Sequence, residues 1–258
     1  MMKAKIFAPV FLIPLVVATV TGGIQNVWAA GTTTVLLSPE SPTWHTTSSG
    51  YKSPDGKWIV VHPGYGSVQV VSDHSNKVLE LAPKLSDSSR HSALVLSTVD
   101  MTGIHGKMQV RLDQQSSNPK SWDSFWAMLA YVDQTTHISL LIKTNGGGWE
   151  ISKRDHDHAD QDLHEAIATG HSIPSAVKGH WYNVEWWIAP NHDTHRLHIK
   201  VVVDGKVLAD KDDSGHYDRD GHKGSGTSSY FLNSSSKSFA AYSEKSHTSW
   251  KNISVQSM

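Results

Sequence analysis

The residues best suited to chemistry fall into three groups. The first is a set of tryptophans interleaved with polar side chains: Trp126, Tyr131, His137, Lys143, Trp149, Trp181, Glu185 and Trp187. Flat aromatic rings stack on the C–H faces of sugars, and fixed donors and acceptors beside them meet the hydroxyls. The second is the run Asp155-His156-Asp157-His158-Ala159-Asp160-Gln161-Asp162-Leu163-His164. In an extended chain Asp155 and Asp157 point one way and His156 and His158 the other, so either pair suits a shared ion. Carboxylate oxygens favour Ca²⁺, and imidazoles favour Zn²⁺, Cu²⁺ or Ni²⁺. The third is the Asp-rich stretch holding Asp210, Asp212 and Asp213, whose oxygens suit Ca²⁺ at a bend. Neither acidic stretch has the spacing of a standard zinc or EF-hand motif, and a solvated polar loop explains each as simply.

The elements that must position these groups are strands. Between Gly179 and Lys206 two long runs alternate strictly. Tyr182, Val184, Trp186 and Ile188 share one face, and Trp181, Asn183, Glu185 and Trp187 share the other. Leu197, Ile199, Val201 and Val203 repeat the pattern. Period-two alternation predicts half-buried strands. Pro190 to Thr194 is turn chemistry, and Asp204-Gly205 closes a tight hairpin before a third strand at Val207. One tryptophan taken singly in a large sandwich most often fills the core. Trp181 and Trp187 are assigned to the open face, because the core face is already claimed by their alternating neighbours.

Further strands are expected over residues 57–61, 67–72, 77–81, 93–98, 107–113, 125–132, 137–143, 149–153, 238–243 and 249–255, with Gly- or Pro-bearing turns between many of them. No stretch has a sustained helical period; the best is 160–168. The prediction is an all-β chain, a two-sheet antiparallel sandwich, with one long polar insertion over 210–233.

Lys3 and Lys5, the uncharged apolar run from Ile6 to Val20, and Val27-Trp28-Ala29 have the order of a secretory signal peptide, cut after Ala29. Residues 30–56 read as an extended lead-in and 57–258 as the sandwich domain. No stable membrane span is expected once the signal is cut, and a secreted or cell-envelope location follows. Without Lys3 and Lys5 the count is 21 basic against 24 acidic residues, which is not the footprint of a nucleic-acid binder. The chain has no cysteine, so an exported fold must rest on its core or on bound metal.

Gly148-Trp149-Glu150-Ile151-Ser152-Lys153, Gly179-His180-Trp181-Tyr182-Asn183-Val184, Val203-Asp204-Gly205-Lys206, Tyr242-Ser243-Glu244 and Trp250-Lys251-Asn252-Ile253-Ser254-Val255 together resemble the concanavalin A-like lectin/glucanase jelly-roll superfamily. Within it the likeness is to LamG-like and 3-keto-disaccharide-hydrolase-like secreted domains. Trp250 and Lys251 stand where Phe and Asp are usual. The resemblance implies two packed antiparallel sheets, one of them concave, a glycan ligand on the concave face or at the rim loops, and a Ca²⁺ ion in a rim loop; the face of Trp181, Glu185 and Trp187 is the expected concave binding surface. The corresponding binding residues would be Trp149, Trp181, Glu185, Trp187, Trp126, His137 and Lys143. The glucanase pattern E-x-D-x-x-E is absent, and Glu185 has no acidic partner on its own strand. Carbohydrate binding is therefore the leading expectation. A polysaccharide hydrolase or lyase of the same fold is the alternative, and a structural or metal-binding envelope protein is a further one.

Overall fold

The computed structural model describes residues 34–37, 43–74, 76–86, 91–155, 165–215 and 226–258. Two antiparallel sheets face each other. The first is nine-stranded. It runs in the order β15 (Lys206–Asp212), β14 (Arg196–Val203), β13 (Trp181–Asn191), β8 (Ile104–Gln115), β17 (Ser246–Ser257), β6 (Asn76–Ala82), β5 (Ser67–Asp73) and β2 (Trp44–Thr46), with β1 (Thr34–Leu36) paired to β17. The second is eight-stranded. Its order is β12 (Glu165–Gly170), β11 (Trp149–Arg154), β10 (Thr136–Ile142), β9 (Phe125–Asp133), β16 (Ser238–Glu244), β7 (Ser92–Ser97), β4 (Trp58–His62) and β3 (Tyr51–Lys52). The two-sheet antiparallel sandwich that the strand pattern and the resemblance imply is the one found.

Differences lie at the margins. The segment read as a lead-in supplies β1, β2 and β3, which pair with β17, β5 and β4. Residues 165–168, the end of the best helical period, lie instead in strand β12 at a sheet edge. The one helix among the described residues is α1 (Ser229–Asn233), inside the polar insertion. Ser228 caps it, its hydroxyl accepting from the Phe231 N–H at 3.0 Å.

Alternation decides what each strand buries. On β13, Tyr182, Val184, Trp186 and Ile188 enter the core, and on β14 Leu197, Ile199, Val201 and Val203 do the same. Strand β9 departs from strict alternation. Its pairing with β10 and with β16 steps past Leu129, and Leu129 and Ala130 both join the core. This β-bulge inverts the parity of the strand, so Trp126, Met128 and Tyr131 share the outer face. The indole N–H of Trp186, from the opposite sheet, donates to the Leu129 carbonyl at 3.0 Å. The same indole lies on Gly106 of β8, where a Cβ would fall 2.1 Å from a ring carbon.

Trp186→Phe keeps a ring in the core but leaves the Leu129 carbonyl without its donor. An unsatisfied buried acceptor costs about 1–3 kcal/mol. Gly106→Ala overpacks the same spot, at about 1–3 kcal/mol. Both variants should unfold at lower urea concentration than the parent with strand content retained, and an unchanged midpoint in either would refute this account.

Candidate functional site

The sandwich has two outer faces, and they differ in chemistry. On the nine-stranded sheet the outward residues of β13 meet charged partners. Glu185 Oε1 lies 2.8 Å from His105 Nε2 and 3.0 Å from Lys107 Nζ. The Trp187 ring stacks on the His105 imidazole, with centroids 4.6 Å apart and planes 8° apart, and Lys200 Nζ sits 5.5 Å from the same ring. Trp181 holds two cations, Lys251 Nζ at 4.1 Å and the Arg111 guanidinium at 4.5 Å from its centroid. A row of amides crosses the sheet: Asn252 donates to Gln109, Gln109 to Asn183, and Asn183 to Asp204, at 2.6, 2.6 and 3.0 Å. This face satisfies itself. Trp181 and Trp187 do point away from the core, yet their ring faces already carry cations and an imidazole.

The acidic stretches are also engaged. His198 lies between Asp212 at 2.8 Å (Nδ1) and Asp210 at 2.9 Å (Nε2), and Lys200 meets Asp210 at 3.0 Å. Asp213 is fully buried and ion-paired at 2.7 Å with the equally buried Lys153, which lies 3.8 Å from Asp155. Asp155 in turn accepts from the Ser228 N–H at 2.9 Å and from its hydroxyl. These carboxylates fasten the residues after β15 and the cap of α1 to β11. His156, Asp157 and His158 lie outside the described residues. Among the described residues no group of three or more His, Asp or Glu side chains is arranged to hold a metal ion.

On the eight-stranded sheet the outer face is apolar at its centre. Register aligns one residue from each of six strands: Glu150 of β11, Leu141 of β10, Trp126 of β9, Tyr242 of β16, Leu94 of β7 and His62 of β4. Leu94, Trp126, Met128, Tyr131, Leu141 and Ala240 form a second cluster separate from the main core, with Trp122, Tyr242, Val61 and Leu96 packed against it. Trp126 meets Tyr242 edge-on, with centroids 6.3 Å apart at 89°, and its N–H donates to the Trp122 carbonyl at 3.1 Å. It retains 9 % exposure.

Polar groups fix the borders of this face. Lys143 and Glu150 form an ion pair at 2.6 Å. Tyr242 donates to Glu244 at 3.1 Å. His137 stacks beside Tyr131, centroids 6.0 Å apart. His62 Nδ1 lies 2.8 Å from the Ser92 carbonyl. A carbonyl only accepts, so Nδ1 carries the proton, and in the neutral ring Nε2 is the acceptor.

The sequence-predicted binding residues thus divide among three places. Trp126, His137 and Lys143 gather on the outer face of the eight-stranded sheet. Trp181, Glu185 and Trp187 lie on the opposite outer face. Trp149 is on neither: it is 5 % exposed, belongs to the main core and packs over Gly170, with its N–H donating to Ser172 at 3.0 Å. Its partner across β10 is the inward Ile142, which fixes its direction. Trp122 and His62 join the site without any motif of their own, and Tyr242 and Glu150, which lie in segments that carry the resemblance, were not singled out as binding residues. The available signal was that 125–132 is an unbroken apolar run and 140–142 a shorter one, so both faces of β9 and of the second half of β10 are apolar.

No protein-family model matches this chain, and no curated protein matches it in sequence. Solved structures do match. A carbohydrate-binding module from Bacillus subtilis has a TM-score of 0.47 at 10 % identity, covering 81 % of this chain and 98 % of the module. An endo-1,3-beta-glucanase from Streptomyces sioyaensis scores 0.46 at 10 % identity, covering 89 % and 98 %. Peanut lectin scores 0.41 at 8 % identity, covering 84 % and 98 %. What those proteins bind or cleave is theirs alone; the ligand of this chain must be argued from its own side chains.

Protonation of the self-satisfied face sets an acid limit. Burial alone would raise the Glu185 carboxyl, but hydrogen bonds from His105 and Lys107 outweigh it and hold the group below the usual range. Asp210 is lowered likewise, burial being outweighed by Lys200 and His198, and Asp212 by His198, Thr194 and Asn191. Carboxylates lowered in the folded state stabilise it above their unfolded value of about 4, and that stability is lost as pH falls through the folded values. The thermal midpoint should therefore drop below about pH 4. In Glu185→Gln and Asp212→Asn the drop should be shallower; an identical acid limb in both variants would count against these pairs.

Proposed function

We infer that this is an exported glycan-binding protein whose ligand lies across the outer face of the eight-stranded sheet. The observation that carries the reading is the row Glu150, Leu141, Trp126, Tyr242, Leu94, His62. Its centre is aromatic and apolar, which suits the C–H faces of sugar rings. Its ends are polar and held in place by Lys143 and by the Ser92 carbonyl. A small number of fixed polar groups around an apolar floor is the general build of a small-molecule site. The basic start, apolar run and small-residue cut site of residues 1–29 support export.

Binding fits this face better than hydrolysis. Asp133, at the end of β9, is tied to Thr135 and Tyr230; the other carboxylates, Glu150 on β11 and Glu244 on β16, stand three strands apart. At ~4.8 Å per strand the backbones are about 14 Å apart. A glycosidase pair needs roughly 5–9.5 Å between carboxyls. Side chains could narrow the gap only by converging, and here Glu150 turns to Lys143 while Glu244 is tied to Tyr242.

The test is affinity electrophoresis through gels containing neutral soluble polysaccharides (β-glucan, xylan, mannan and fructan), with and without EDTA. A retarded wild type is expected in at least one gel. Trp126→Ala should weaken retardation roughly tenfold or more, as loss of a central aromatic anchor does. Trp181→Ala and Trp187→Ala should leave it unchanged, and so should chelator, because Asp210, Asp212 and Asp213 already have His198, Lys200 and Lys153 as partners. Loss of binding in Trp187→Ala with retention in Trp126→Ala would move the site to the opposite face. No retardation in any gel would remove the glycan reading.

A further inference from the structure

The turn that leads out of β4 holds an unexpected residue. In Pro63-Gly64-Tyr65-Gly66 the Gly66 N–H donates to the Pro63 carbonyl at 3.2 Å, and both central residues have positive φ, 66° at Gly64 and 58° at Tyr65. That is a type I′ turn, whose central positions favour Gly, Asn and Asp. Gly64 is required by space, since a Cβ there would lie 2.4 Å from the Ser92 carbonyl oxygen. Nothing comparable requires a tyrosine at 65. A bulky residue in the left-handed region is strained, and such strain persists where the rest of the fold imposes it.

Burial does not repay that strain. Tyr65 is 86 % exposed, the most exposed large hydrophobic among the described residues. Its ring is nevertheless braced, standing edge-on to the His91 imidazole with centroids 5.1 Å apart at 74°. His91 precedes β7, and its carbonyl accepts from the Lys245 N–H at 2.9 Å, directly after Glu244. Ser92 pairs with Glu244 and its carbonyl holds His62. Tyr65 therefore stands at the end of the sandwich, on the turn that crosses from β4 of one sheet to β5 of the other, beside the strand ends that carry His62 and Glu244.

We propose that Tyr65 is a second stacking residue of the glycan site, a rim platform for a sugar unit beyond those on Trp126 and Tyr242. The proposal rests on the glycan-binding reading and adds a requirement for a chain of several sugars, since a single unit cannot span from Trp126 to the turn.

Two substitutions separate display from structure. Tyr65→Gly relieves the left-handed strain, so its thermal midpoint should rise, by roughly 2–4 °C. Its affinity for the polysaccharide that retards the wild type should nonetheless fall about tenfold. Tyr65→Phe should keep the affinity. With a disaccharide of the same sugar, calorimetry should show wild type and Tyr65→Gly alike. If the wild type and Tyr65→Gly bind the polysaccharide equally while Trp126→Ala does not, the rim role of Tyr65 is wrong and the site stands. If Tyr65→Gly loses affinity for disaccharide and polysaccharide equally, the requirement for a longer chain is wrong. If no polysaccharide retards the wild type, the glycan reading fails, and the Tyr65 role with it.

Discussion

One hydrogen bond couples the packing of the two sheets to the aromatic outer face, that from the Trp186 indole to the Leu129 carbonyl. A buried indole N–H must find an acceptor, and a strand carbonyl is normally spent in its own ladder. The bulge in β9 leaves Leu129 out of register with both neighbours, and Trp186 takes up the carbonyl from across the core. Gly106 makes room for the ring. Without the bulge, strict alternation would turn Tyr131 inward while Trp126 and Met128 faced out. With it, all three line one surface. The packing constraint at the core is thus also what assembles the aromatic floor outside it.

Charge is distributed differently over the two outer faces. On the nine-stranded sheet the outward Glu185, His105, Gln109, Asn183, Asn252 and His198 all bond to neighbours in the sheet or its turns. Exposed pairs of this kind add little stability individually. Their effect is to leave few strong donors or acceptors idle. On the eight-stranded sheet the polar groups stand at the ends of an apolar row. One buried charge cluster, Lys153 with Asp213 and Asp155, belongs to neither face. Removing Lys153 would strand two carboxylates in the interior, so the cluster is costly to break even if it was not cheap to form.

Strands with strict alternation could be read from the sequence almost residue by residue, because one face of each is wet. Gly179–Lys206 is the clearest case: both runs, the Asp204-Gly205 turn and the inward set were all legible. The candidate site was only partly so. Alternation says which residues of a strand share a face, not which of two sheets the strand joins. Trp126 and Trp181 therefore looked like members of one surface although the sandwich lies between them. Trp149 was misplaced for a related reason. Its strand, WEISKR, has an inward lysine, Lys153, whose partner Asp213 is sixty residues away in sequence. An apparent polar-inward register was the true one. The Leu129 bulge left no local mark either, since its cause is a tryptophan on another strand.

The apolar outer row also explains why binding by this face would be a matter of shape more than of charge. A neutral sugar brings no ion to pair with Lys143 or Glu150, which already neutralise each other at 2.6 Å. It would bring hydroxyls, which can join such a pair without breaking it, and C–H faces, which would replace water on Tyr242 and on the exposed margin of Trp126. A charged ligand would have to compete with Glu150 for Lys143 and leave a carboxylate uncompensated, a larger penalty than one added hydrogen bond returns. On the proposed reading the fixed ion pair would select against strongly anionic chains, and the aromatic floor between the polar ends would select for ligands that are flat and apolar on one side.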